Sequence, residues 1–153
     1  MTIDMPATYD ARAVLDFLRN PISLMALKRY NPETIVKPFA AYSQGVEVPP
    51  NARWLYIAGQ VGVNPDGTIA GNSEQQVERA WQNVLAVLSA ANMGPEDLVH
   101  VNVYITDPAD VRLNRESWRK ISRNGGPGIT MVTVKRLSHP DWSVEIEAVA
   151  ARA

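Results

Sequence analysis

The stretch Ser73-Glu-Gln-Gln-Val-Glu-Arg-Ala-Trp-Gln-Asn-Val-Leu-Ala-Val-Leu-Ser-Ala-Ala-Asn92, followed closely by Val99-His-Val-Asn-Val-Tyr-Ile105, decides the fold, because its apolar period changes across one short loop. Val77, Ala80, Trp81, Val84, Val87, Leu88 and Ala91 recur at three- and four-residue steps, the repeat of one helix face. Ser73 followed by Gln76 fits a capping box, in which two side chains satisfy the free N–H groups of a helix start. A helix over 73–92 is predicted. Gly94-Pro95 ends it. Val99, Val101, Val103 and Ile105 then share one face of a β-branched strand, with His100, Asn102 and Tyr104 on the other.

Working outward from this core, Asp107-Pro108 reads as an N-cap with proline at the first helical position. It opens a second helix running to about Ser122, before Asn124-Gly-Gly-Pro127. Strands over 129–137 and 143–150 flank a Ser138-His-Pro-Asp141 loop. Upstream, 40–48 is a short strand stopped by Pro49-Pro50. In 54–63, Leu55, Ile57, Val61 and Val63 share one face at period two, and Asn64-Pro-Asp-Gly67 supplies the turn. The order is ββαβαββ, an α+β fold of two layers with both helices on one sheet face. The other sheet face still carries apolar residues, which predicts association of chains.

Residues 1–36 read as an N-terminal extension and 37–153 as the main domain. Ala11 to Leu18 has helical spacing with Val14, Phe17 and Leu18 in one stripe, and Asn20-Pro21 breaks it. A total of 153 residues is the size of one domain. The 15 Lys+Arg nearly balance the 16 Asp+Glu, so no net field steers the chain onto nucleic acid or anionic lipid. Cysteine is absent, which removes disulfides, thiolate catalysis and Cys-based metal sites. The N-terminus has neither a basic flank nor a long apolar run, and a cytoplasmic location is expected. Phosphate-loop, H-E-x-x-H and G-x-S-x-G patterns are missing, so no metal and no cofactor is expected.

Val144-Glu-Ile-Glu-Ala148 places Glu145 and Glu147 on one face of an otherwise apolar strand, roughly 6–7 Å apart. A half-exposed strand with a solvated face explains two such acids. The alternative is a carboxylate partly buried in a cleft, suited to proton transfer.

The segments Pro38-Phe-Ala-Ala-Tyr-Ser-Gln-Gly-Val46, Ile57-Ala-Gly-Gln-Val-Gly-Val-Asn-Pro-Asp-Gly67, Asn83-Val84 and Val144-Glu-Ile-Glu-Ala-Val149, in this order and spacing, resemble the RidA (YjgF) family over about residues 31–151. The resemblance implies a chorismate-mutase-like fold, a homotrimer, and clefts at the subunit interfaces where enamines and imines are hydrolysed to a keto product and ammonia. By position it implies that Tyr42 lines the cleft, that Gly59 offers backbone near the ligand, that Asn114 also lines the cleft, and that Glu145 handles the attacking water.

The family's deaminases hold the substrate carboxylate with the arginine of a P-x-R-[ST] segment, which here reads Pro127-Gly-Ile-Thr130. Ile129 offers apolar surface where arginine offers a charged, bidentate fork worth roughly 1.5–3 kcal/mol. Arg136, seven residues on, is expected to point to the opposite strand face from Ile129, and Lys135 to share its face but lie far along it. Three functions follow. The favoured one is a RidA-like hydrolase or deaminase acting on an enamine, imine or related C–N bond of a molecule that needs no carboxylate anchor. The alternative is a non-catalytic trimeric protein that binds a metabolite. Ribonuclease activity, a third reading, is opposed by the balanced charge.

Overall fold

A computed structural model of the chain describes residues 26–122 and 125–153. The expected helix over Ala11 to Leu18 lies outside the described residues. The order is β1 (Lys28–Tyr30), β2 (Gly45–Glu47), β3 (Arg53–Val61), α1 (Ser73–Ala90), β4 (Leu98–Ile105), α2 (Val111–Ile121), β5 (Gly128–Thr133) and β6 (Val144–Arg152). From β2 onward this is the ββαβαββ order of a two-layer α+β fold. The short strand β1 precedes it and pairs antiparallel with β2, apart from the main sheet.

The main sheet has the order β3-β6-β4-β5. β4 and β5 run parallel, as a helical crossover requires, while β6 is antiparallel to both of its neighbours. The last strand of the chain thus lies inside the sheet. Its alternate residues Val144, Ile146, Ala148 and Ala150 are buried against the helices together with Leu98, Val101, Val103 and Ile105 of β4. Burying each valine, leucine or isoleucine among these stabilises the fold by about 1.5–3 kcal/mol, and each alanine by less. α1 contributes Val77, Ala80, Trp81, Val84 and Leu88 to this core, the stripe expected from its period. α2 packs on α1 through Trp118, whose ring centroid lies 4.9 Å from that of Trp81.

The ends of α1 differ from expectation in detail. Asn72, not Ser73, is the cap: its Oδ1 accepts from the Gln75 N–H at 3.0 Å, and Gln75 Oε1 accepts from the Asn72 N–H. The helix ends before Gly94-Pro95. Asn92 adopts φ 55°, and the Met93 N–H reaches back to the Leu88 carbonyl at 2.8 Å, a Schellman closure. Gln76, released from capping, is buried instead. Its amide donates to the Asp141 carbonyl at 3.0 Å and accepts from the Ser143 N–H at 2.9 Å, so α1 holds the loop that leads into β6.

The period of β3 breaks where regular alternation was expected. Ile57 pairs with Ala148, but Gln60 pairs with Ile146 and Val61 with Glu145, so an extra residue is inserted around Ala58 and Gly59. Val61 therefore shares a face with Glu145, opposite to Ile57. β5 also stops at Thr133, so Lys135 and Arg136 lie beyond it and strand alternation says nothing of where they point.

The open face of the sheet is apolar at its edges and polar at its centre. Trp54, Tyr56 and Val132 are exposed large residues on it. Between them runs a hydrogen-bonded ladder. Asn102 Nδ2 and Tyr104 OH both donate to Glu147 Oε1, at 2.9 and 2.8 Å, and His100 Nε2 lies 3.0 Å from Asn102 Oδ1. The Asn102 and Tyr104 bonds hold the Glu147 carboxyl below its usual value of 4.5. The same Glu147 bond, with loss of water, raises the Tyr104 phenol above its ordinary value.

Two measurements check this description. Asn72→Ala is expected to lower unfolding free energy in urea by about 1 kcal/mol, and Ser73→Ala by much less. A carboxyl whose folded pKa is depressed adds stability above its unfolded pKa and loses it as pH falls through the folded one. The stability deficit of Tyr104→Phe is therefore full at about pH 7 and shrinks towards about pH 3; a deficit constant with pH contradicts the assignment.

Candidate functional site

Three of the expected site residues meet in one cleft of about 290 Å³ between α2, β5 and the segment around Phe39 to Tyr42. That volume is at the lower end for small-molecule sites. On α2, Val111, Asn114, Arg115 and Trp118 occupy positions i, i+3, i+4 and i+7, one face of the helix, and all four line the cleft. Ile129 and Met131 alternate with outward residues on β5 and close the far wall. Tyr42 enters from the opposite side.

The placement of Tyr42 follows from a close backbone approach. The Trp118 indole donates to the Ala41 carbonyl, and the Ser43 N–H donates to the Pro127 carbonyl at 2.9 Å. A Cβ on Gly126 would lie 2.2 Å from the Ala41 oxygen, so only glycine lets this segment lie against the start of β5. Arg29 of β1 ties the same turn down by donating to the Gly126 carbonyl at 3.2 Å. The Tyr42 hydroxyl accepts a long bond from the Phe39 N–H at 3.4 Å, which leaves its own proton for a ligand.

Asn114 is buried, 2% exposed, and is no helix-surface asparagine. Its Oδ1 accepts from the Trp81 indole at 2.9 Å, while its amide nitrogen meets only the Met131 sulfur at 3.8 Å. The carbonyl side is thus committed to helix packing. The amide hydrogens, held by a soft and weak acceptor, are what Asn114 offers to a ligand. Ile129 is half-buried and, as expected for it, presents apolar surface to the cleft.

Glu145 and Gly59 form a second group, on the open sheet face. A Cβ on Gly59 would lie 1.9 Å from Glu145 Oε1 and 2.8 Å from its carboxyl carbon, so the acid occupies the space that glycine leaves in the β3 bulge. Among the described residues Glu145 makes no side-chain hydrogen bond, whereas Glu147 is held by two donors. The paired acids thus differ: Glu147 is tied into the sheet, and Glu145 is held by no side-chain donor among the described residues.

The two groups do not meet within one chain. Glu145 on β6 is separated from Ile129 on β5 by the whole of β4, two strand spacings or about 10 Å. Ile129 also pairs with the core residue Val101, while Glu145 pairs with Tyr104 on the opposite face. Six contributors were missed from the sequence: Phe39, Ala40, Val111, Arg115, Trp118 and Met131. The i, i+3, i+4, i+7 spacing around Asn114 was a usable signal for three of them, Val111, Arg115 and Trp118. Asn83 is another supporting residue, its amide donating to the carbonyls of Val61 and Val63 at 3.0 Å each and fixing the end of β3 beyond the bulge. Among the described residues no group of three or more His, Cys, Asp or Glu is placed to hold a metal ion, and no helix is long and apolar enough to cross a membrane.

The family described as "Endoribonuclease L-PSP" matches residues 33–152. A RutC family protein of Saccharolobus solfataricus is 35% identical over 123 residues, covering 79% of this chain and 94% of the relative. The 2-iminobutanoate/2-iminopropanoate deaminase of Dermatophagoides farinae is 27% identical over 115 residues, covering 74% and 87%. A crystal structure of the Rid family protein YyfB from Yersinia pestis superposes with a TM-score of 0.74 at 29% identity, covering 82% of this chain and 98% of that one. The shared fold and the family match over most of the chain lead to one conclusion: this protein belongs to the RidA (YjgF) family.

Proposed function

We propose that the chain is a hydrolase of imines and enamines whose site is completed by a neighbouring copy in a homotrimer. The carrying observation is the carboxyl of Glu145, set against Gly59 with no partner among the described residues, beside a Glu147 that is fully engaged. An acid left free on an open sheet face, and a cleft in need of a reacting group, are complementary halves. Exposed Trp54, Tyr56 and Val132 on the Glu145 face favour its burial against another chain. The deaminase named among the relatives supports imine chemistry as the reaction class.

In this reading Glu145 takes a proton from water as the water oxygen bonds to the imine carbon. The C=N pair moves to nitrogen, which takes that proton from Glu145 and gives an amino alcohol. Glu145 then takes the hydroxyl proton and delivers it to the amine, so that the C–N bond breaks, ammonia leaves, the carbonyl forms and the carboxylate is restored. Backbone near Gly59 polarises the reacting group, and Tyr42 and the Asn114 amide orient the substrate. Ile129 makes the wall beside it apolar, so the preferred substrate carries no carboxylate at that point. An RNA substrate draws no support from the near-balance of 15 basic and 16 acidic residues. Binding of a metabolite without chemistry is the second reading, favoured by the same isoleucine; thermal stabilisation by imine analogues with no ammonia released selects it.

Glu145→Gln is expected to lower ammonia release by a factor on the order of 10²–10⁴ while the trimer persists in sizing; unchanged turnover refutes the role. Gly59→Ala acts more gently, since the atom its Cβ meets is the end of a flexible side chain: it should displace the acid and lower turnover while the fold survives. Ile129→Arg is expected to gain activity on the imine derived from 2-aminoacrylate, measured as ammonia release.

A further inference from the structure

We infer that Arg115 binds an anionic group on the substrate, so that the cleft takes a small molecule with an apolar body and a carboxylate or phosphate remote from its reacting C–N bond. This rests on the proposed use of the cleft as the substrate site. Arg115 is the one charged residue among those lining the cleft; Val111, Trp118, Ile129 and Met131 make the rest of its walls largely apolar. It shares the cleft face of α2 with Asn114, one position along the chain.

Two of the neighbouring cations of α2 are already used, and the third, Arg119, does not line the cleft. Arg112 pairs with Glu116 at 2.8 Å, one turn away, and Lys120 pairs with Glu78 at 2.9 Å. Among the described residues Arg115 makes neither an ion pair nor a side-chain hydrogen bond. A guanidinium needs several acceptors in its plane, and a carboxylate or phosphate supplies two at once. The exchange of arginine for isoleucine on β5 thus removes the cation from one wall, while α2 carries another at a different place. The anion is shifted away from Ile129, and the apolar wall between them demands an apolar body in the ligand.

The test uses the Glu145→Gln chain, so that binding is read without turnover and is independent of whether Glu145 is catalytic. Calorimetry compares 3-phenylpropionate, 2-phenylethyl phosphate and the neutral 3-phenylpropionamide. Both anions, or one of them, should bind about 10-fold or more tightly than the amide; which anion does so separates carboxylate from phosphate as the natural group. Adding Arg115→Gln should erase that preference and leave amide binding in place, whereas Arg115→Lys should retain part of it. Equal affinity for all three ligands, failure of all three to bind, or a preference that survives Arg115→Gln overturns the inference. Loss of imine hydrolysis in the parent chain, by contrast, would count only against the catalytic reading.

Discussion

The structure depends on the strand Val144–Arg152 running through the inside of the sheet. With neighbours on both edges, its backbone N–H and C=O groups are paired on either side, and alternation of its side chains is enforced along the strand. Val144, Ile146, Ala148 and Ala150 must then face the helices, and Glu145 and Glu147 must face the other way. A slip of one residue would drive two carboxylates into an apolar core, a cost that specifies the register. Everything distinctive about the open sheet face follows from this constraint.

Neighbouring strands divide the work of the two acids. β4 presents Asn102 and Tyr104 to Glu147, satisfying a charge that would otherwise be costly to half-bury. β3 presents the bulge at Ala58 and Gly59 to Glu145, which gives room but no side-chain donor. One carboxylate is thus part of the sheet, and its neighbour two residues away is available. On the other side of the sheet, α2 and β5 build a hollow with aromatic, amide and sulfur groups and a single cation. A hollow without a reacting acid and an acid without a hollow are what a heterologous interface between copies would bring together.

Much of this was readable from the chain alone. The strand β4, the apolar stripe of α1 and the paired glutamates announced themselves by period, because a period records which face is buried. The β3 bulge did not: Val61 and Val63 continue the apolar alternation of Leu55 and Ile57, and nothing local marks the inserted residue except glycine at 59. The cap was misplaced by one residue because Asn72 and Ser73 are both good caps and each has a glutamine three residues on. The length of β5 was overread because Val132, Val134 and Leu137 are strand-forming by composition, while the chain turns away after Thr133. Asn114 shows the deeper limit. Its partner Trp81 is 33 residues away, and only helix packing makes the contact. Arg115 was legible in principle, from its place on the stripe shared by Val111 and Trp118.

The central claim is that one working site takes its acid from one copy and its cleft from another. Co-expression of differently tagged Glu145→Gln and Tyr42→Ala chains, each inactive alone, tests it directly. The co-expressed pool should recover about a quarter of the parent's ammonia release, and mixed trimers isolated through both tags about a third, because random assembly at equal amounts leaves about a quarter of all sites, and about one in three in each mixed trimer, with both halves intact. Mixed trimers as inactive as either variant would show that both residues serve a site within a single chain, and would contradict the account.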